Sequence, residues 1–207
     1  MASRNTLNSN FGNSAVRENA FAEIENGLSA LRNVTSIREI LAIEGYAART
    51  YFQVWRGLEL QWKGERQNPM PPMWQVFDQR SSLLTGKNSE NWKASHPINA
   101  MLNYAYAVLE AETRIRIISE GYDPRIGILH IGRKREKQDS FVFDLMEPLR
   151  PAVDGAILSF VRGQAFSARD FVLREDGVCR LNPQLARAVA SAVDRRLRVQ
   201  VGQPVGS

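Results

Sequence analysis

The stretch PINAMLNYAYAVLEAETRIRIISEG, residues 97–121, decides the fold. Pro97 lacks only an N–H that a first helical turn leaves unbonded, and Gly121 supplies the left-handed residue on which helices end. The stretch therefore predicts one long helix with a marked start and stop. Ile98, Leu102, Ala105 and Leu109 recur at helical intervals and form an apolar face that other elements must cover.

Working outward, the covering elements also read as helices. Ser14 is placed to cap a first helix running to about Arg32, with Phe21, Ile24, Leu28 and Leu31 on one side, and Asn33 to Thr35 break it. Ser36 and Glu39 fit the capping-box spacing at the start of a second helix, which carries Ile37, Leu41, Ala48, Tyr51 and Trp55 towards Gly57. Residues 58–95 lack a period and contain NPMPPMW, yet Trp62, Trp74, Phe77 and Trp92 predict packed irregular structure with short helices.

Downstream of residue 121, GYDPRIGILHIG reads as a turn and connector, and HIGRKREKQDS as a basic loop. A fourth helix is expected from Ser140, with a kink or restart between Glu147 and Val153 because Pro148 and Pro151 each remove a backbone donor. FVLREDGVCRL predicts a hairpin turning near Asp176 and Gly177, and Asn182 with Pro183 opens a last helix to about Val199. The expected fold is mainly α: a helical domain over residues 15–199 with a small β-hairpin near 171–181, and flexible tails at 1–14 and 200–207.

The 207 residues are 43% hydrophobic and 24% charged, enough for one substantial core. Lys and Arg outnumber Asp and Glu by 27 to 22, and the resulting +5 charge points to an anionic partner, of which nucleic acid is the commonest. The lone Cys179 excludes an intrachain disulfide and suits a reducing cytosol. No apolar run approaches the roughly 18 residues of a membrane-spanning helix. Walker-type phosphate loops, nucleophile elbows and HExxH helices are missing, which removes several enzyme classes.

Three acidic residues and one histidine need more explanation than solubility. Glu44 falls on the apolar stripe of the second helix, where a carboxylate is costly unless paired, protonated or bound to a cation. Asp144 and Glu147 are three apart and lie on one side of a helix, able to share a cation. With His130 they make a mixed oxygen and nitrogen donor set suited to Mg2+ or Mn2+. Spacing alone leaves other readings open: Glu44 paired with Arg38 or Arg49, Asp144 and Glu147 on a solvated face, His130 hydrogen-bonded in a loop. The run RKREK, residues 133–137, is either solvated surface or a set of phosphate contacts beside that site. His96 reads as a capping or surface residue, and Cys179 has no His-based activating partner nearby in sequence.

Four strings in order, EGYAARTYF at 44–52, NAMLNYAYAVLEAE at 99–112, GYDPRIGILH at 121–130 and DLMEPLRPAVD at 144–154, resemble the CRISPR-associated integrases, the "Cas one" family. The resemblance runs from about residue 15 to 198 and implies the family's α-helical catalytic domain. It implies Glu44, His130 and Glu147 as ligands of Mg2+ or Mn2+, and Asp144 as a ligand or orienter. Arg49, Arg133, Lys134, Arg135 and Lys137 become candidate DNA contacts. The implied activity joins the 3'-hydroxyl ends of foreign DNA fragments into a CRISPR repeat array by metal-dependent transesterification. Its setting would be a prokaryotic cytoplasm, with self-association and a "Cas two" subunit as partners. The family's usual N-terminal β domain is expected to be absent, with a short polar tail ahead of the first helix, as in a naturally short integrase or a catalytic domain separated from its neighbour. A non-catalytic DNA-binding scaffold and a metal-dependent nuclease on branched DNA are the alternatives.

Overall fold

The computed structural model describes residues 14–80, 94–129 and 139–201. Its helices are α1 Ser14–Ala30, α2 Ile37–Gln53, α3 Pro97–Ser119, α4 Ser140–Met146, α5 Arg150–Arg162 and α6 Pro183–Val201. Strands β1 Phe171–Leu173 and β2 Cys179–Leu181 lie between α5 and α6. The mainly helical reading and the hairpin both hold.

Helix α3 is the centre of the packing, and its ends lie where Pro97 and Gly121 mark them. His96 Nδ1 accepts the Ile98 N–H at 3.2 Å, Pro97 follows at the first turn, and Gly121 adopts φ 84° just past the end. Ile98, Leu102, Ala105 and Leu109 are all buried. Helices α5 and α6 pack on α3 and on each other, bringing Met101, Val153, Ile157, Val189 and Val193 into one core. Each such side chain stabilises the fold by about 1.5–3 kcal/mol relative to exposure. His96 caps as expected but is buried rather than on the surface, its ring edge-on to Phe77 at 5.5 Å.

The prolines act where expected. Helix α4 ends at Met146, Glu147–Leu149 form a 3-10 turn around Pro148, and α5 restarts at Arg150 with Pro151 in its first turn. In the hairpin Phe171 pairs with Leu181 and Leu173 with Cys179, and Gly177 takes φ 77° in the connecting turn. The Asn182 side chain accepts the Leu185 N–H at 2.7 Å and caps α6.

Helices α1 and α2 differ from their stripes. They pack on each other, with Ile43 so close to Gly27 that a Cβ there would lie 3.3 Å from its Cγ2, and Tyr46 Oη donates to Glu23 at 3.1 Å. Yet Leu28, Leu31 and Ile37 are exposed, and on α2 only Thr50 and Tyr51 are buried. The physical reason is the number of neighbours: among the described residues the start of α2 meets α1 but no third layer, so apolar period alone does not bury it. The capping box is also displaced by one residue. Ser36 Oγ accepts the Glu39 N–H at 3.3 Å, while the Glu39 carboxylate takes the N–H of Thr35 rather than of Ser36.

Residues 58–80 form packed irregular structure, as predicted. A 3-10 turn at Pro72–Trp74 and bridges Glu59↔Val76 and Trp62↔Phe166 order it around buried Leu60, Trp74 and Phe77. Trp62 and Trp74 meet Phe171 across the hairpin at 6.4 and 5.5 Å, so both pack internally; Trp92 lies outside the described residues. Among the described residues no helix is long and apolar enough to cross a membrane.

Candidate metal and nucleic-acid site

The connector that follows α3 is sewn to the start of α4. Ser140 Oγ donates to the Arg125 carbonyl at 2.6 Å and accepts the Gly127 N–H at 2.8 Å, and the Phe141 N–H reaches the Pro124 carbonyl. Only glycine fits at 127, because a Cβ there would lie 2.5 Å from the carbonyl carbon of Ser140. One helical turn further, the Asp144 carboxylate accepts the N–H groups of both Ile128 and Leu129, the latter at 3.1 Å. A bidentate pair from Arg114 to Asp139, at 2.7 and 3.2 Å, ties the same helix start to α3. Asp144 is thus the residue that holds the approach to position 130.

Glu147 stands at the break between α4 and α5, half-buried, with Arg150 Nη2 3.1 Å from its Oε1. Arg150 in turn lies 5.4 Å over the Tyr106 ring of α3, and Arg80 lies 5.5 Å from the same ring. The Tyr106 hydroxyl donates to Asp154, a buried carboxylate of α5. Burial pushes the Asp154 carboxyl up from an ordinary 3.8 to about 6, and the Tyr106 hydrogen bond, Arg80 and Arg150 hold it from going further. The Tyr106 hydroxyl is raised well above its usual range by the same burial and by the Asp154 charge. Arg80 is further held by Asn103 at 2.8 Å.

These side chains adjoin a cavity of about 1150 Å³. Five arginines line it, Arg49, Arg56, Arg80, Arg150 and Arg180, against the acids Asp78 and Glu110. Arg56 binds Asp78 at 2.7 Å, and Glu110 is engaged by Arg114 at 3.0 Å. Arg49 and Arg180 have no acid partner among the described residues, so the wall is cationic and suits an anion with several charges. Phe52, Tyr104 and Phe143 give the same wall aromatic surface.

Glu44 precedes the cavity-lining Ala48 by one turn of α2, and Glu147 precedes Arg150 by one turn at the α5 start. Glu44 is half-buried and makes no ion pair with Arg38 or Arg49 among the described residues. The two carboxylates offer hard oxygen donors of the type Mg2+ and Mn2+ prefer, and Glu147 is already neutralised by the Arg150 guanidinium. Among the described residues no three His, Cys, Asp or Glu side chains form a ligand cluster. His130, and with it Arg133, Lys134, Arg135 and Lys137, lies outside them. Cys179 lines the cavity but is buried, which pushes its thiol up to about 12 and leaves it inert.

Sequence reading passed over Arg80, Tyr106, Arg150 and Asp154. A signal existed for Asp154, an acid between Val153 and Ile157 on the buried face of α5, of the same kind that singled out Glu44. Arg80 carried none, since its partners on α3 and α5 are remote in sequence.

A "CRISPR-associated endonuclease Cas1 1" of Moorella thermoacetica is 30% identical over 196 residues, covering 92% of this chain and 50% of the relative. A protein of the same description from Methanospirillum hungatei is 29% identical over 167 residues, covering 80% of this chain and 44% of the relative. The chain thus spans half the length or less of these two relatives. A solved casposase bound to integration product superposes with a TM-score of 0.65 at 31% identity, over 84% of this chain and 46% of that one. The family described as CRISPR associated protein Cas1 matches residues 2–195, a span that takes in α1 through most of α6 and every element of the site above, and the chain belongs to that family.

Proposed function

We propose that the chain is the catalytic part of a CRISPR adaptation integrase, which joins the 3'-hydroxyl ends of DNA fragments into a repeat array. The observation that carries this reading is the likeness to a casposase bound to integration product, in a chain whose cationic cavity stands beside two half-buried glutamates. A bound Mg2+ or Mn2+ would polarise the phosphodiester and stabilise charge on the leaving oxygen.

The chain's own residues do the rest. Glu44, Glu147 and His130 would hold the ion, and Asp144 fixes the connector that leads to His130. Arg49, Arg133, Lys134, Arg135 and Lys137 take phosphates and align the strands, which lowers the barrier by orientation rather than by a covalent protein intermediate. Self-association belongs to this reading, because a fragment has two ends to join, and so does a "Cas two" partner in a prokaryotic cytoplasm.

An assay with a short duplex and a supercoiled repeat-bearing plasmid tests it. Joined products that disappear in Glu44→Ala, His130→Ala and Glu147→Ala are expected, and DNA binding without either joining or cleavage would leave only a scaffold. The relatives' description as endonucleases favours one second reading, in which water replaces the 3'-hydroxyl. Hydrolysis without joining is its signature.

A further inference from the structure

Arg150 has a carboxylate on one side and the cavity on the other. Its Nη2 is 3.1 Å from Glu147 Oε1, its side chain is 37% exposed, and its Nε is buried with no hydrogen-bond partner. The guanidinium rests over Tyr106, whose ring also carries Arg80. Two carboxylates neutralise these two guanidiniums, and they are not equivalent. Asp154 is buried and fixed by the Tyr106 hydroxyl, whereas Glu147 is partly open to solvent, its side chain 23% exposed.

We infer that Arg150 is a placeholder cation: it neutralises Glu147 until a divalent ion takes that carboxylate, and then turns its guanidinium into the cavity to bind a nucleic-acid phosphate. This rests on the reading of Glu147 as a metal ligand. Two cations in contact with one carboxylate repel each other, so a divalent ion and Arg150 compete for Glu147. The displaced guanidinium has a destination. It already lines the cavity, its Nε is an unused donor, and a phosphate offers the planar, two-point acceptor that arginine matches best. Tyr106 holds the guanidinium from below, so the change needs a rotation at the end of one side chain and no movement of α5. Because the same residue leaves one ligand's site to serve the other's, metal and DNA must bind with positive coupling, and equally in both directions.

The test measures binding and not turnover. Mn2+ affinity of the free protein is read by titration calorimetry, and affinity for a fluorescent duplex with 3'-deoxy ends is read by anisotropy with and without Mn2+. Arg150→Gln is expected to bind Mn2+ about fivefold more tightly, and to lose most of the gain in DNA affinity that Mn2+ confers on the unaltered chain. Arg150→Lys keeps the charge and is expected to match the unaltered chain in Mn2+ affinity while recovering part of the DNA coupling. Unchanged or weaker Mn2+ binding in Arg150→Gln, or a lysine variant that behaves like the glutamine one, overturns the placeholder role. Glu147→Ala separates the two levels: if it leaves Mn2+ binding intact, the metal reading of Glu147 fails and this inference with it. If it abolishes Mn2+ binding while Arg150→Gln does not tighten it, the placeholder role alone fails.

Discussion

The Asp144 carboxylate accepts the backbone N–H of Leu129 at 3.1 Å, and that of Ile128 beside it. A side chain of α4 thereby fixes the two residues that lead into position 130. Asp144→Ala should lower stability by about 1–3 kcal/mol, because it removes the ionised acceptor shared by two backbone amides. Because Asp144 holds the connector to the proposed ligand His130, integration and Mn2+ affinity in calorimetry should both fall by more than the stability loss explains. Activity that tracks stability alone across a temperature series would show that Asp144 does no positioning.

Gly127 should tolerate no side chain. A Cβ would meet the Ser140 carbonyl carbon at 2.5 Å and the Phe141 nitrogen at 2.7 Å, both of them backbone atoms that α4 holds in place. Gly127→Ala is expected to cost at least about 1–3 kcal/mol in urea unfolding through forced backbone shifts. Gly45, with nothing within 4 Å of its Cβ position, is the control and should accept alanine freely. Equal midpoints for the two variants would contradict the close crossing.

Tyr106→Phe removes the hydroxyl that donates to Asp154. The sign follows from linkage. Asp154 has a folded pKa raised to about 6 from 3.8, so its contribution is fully present below the unfolded value and is lost as pH rises through 6. Without the Tyr106 donor the folded value climbs further. The variant should therefore lose about 1–3 kcal/mol, with the larger loss at pH 8 than at pH 5. A loss independent of pH would mean that Asp154 draws nothing from that hydroxyl.

His96 works in the opposite direction. Burial lowers its folded pKa from 6.5 to about 4, so its contribution is present above 6.5 and is lost as pH falls through 4. His96→Asn keeps an oxygen able to accept the Ile98 N–H, and removes the titration. Stability of the unaltered chain should drop by roughly 2–3 kcal/mol more than that of the variant between pH 7 and pH 4. Parallel urea-midpoint curves over that range would disprove the assignment.

The sequence by itself determined the elements and their limits. Pro97 and Gly121 bound α3, Pro148 and Pro151 break the chain between α4 and α5, and Asp176–Gly177 turn the hairpin, because each acts through its own backbone geometry. The ordered strings around Glu44, His130 and Glu147 determined the family, since residue types and their order are sequence properties. Only the tertiary structure decided what those side chains meet. Leu28 and Ile37 share the period of a buried stripe and are exposed, because burial depends on a third element that the period does not encode. Arg80, Tyr106, Arg150 and Asp154 come from an irregular segment, α3 and α5, and meet because those elements pack together. A buried charge must find its counter-charge wherever packing places one, and that place is a property of the fold.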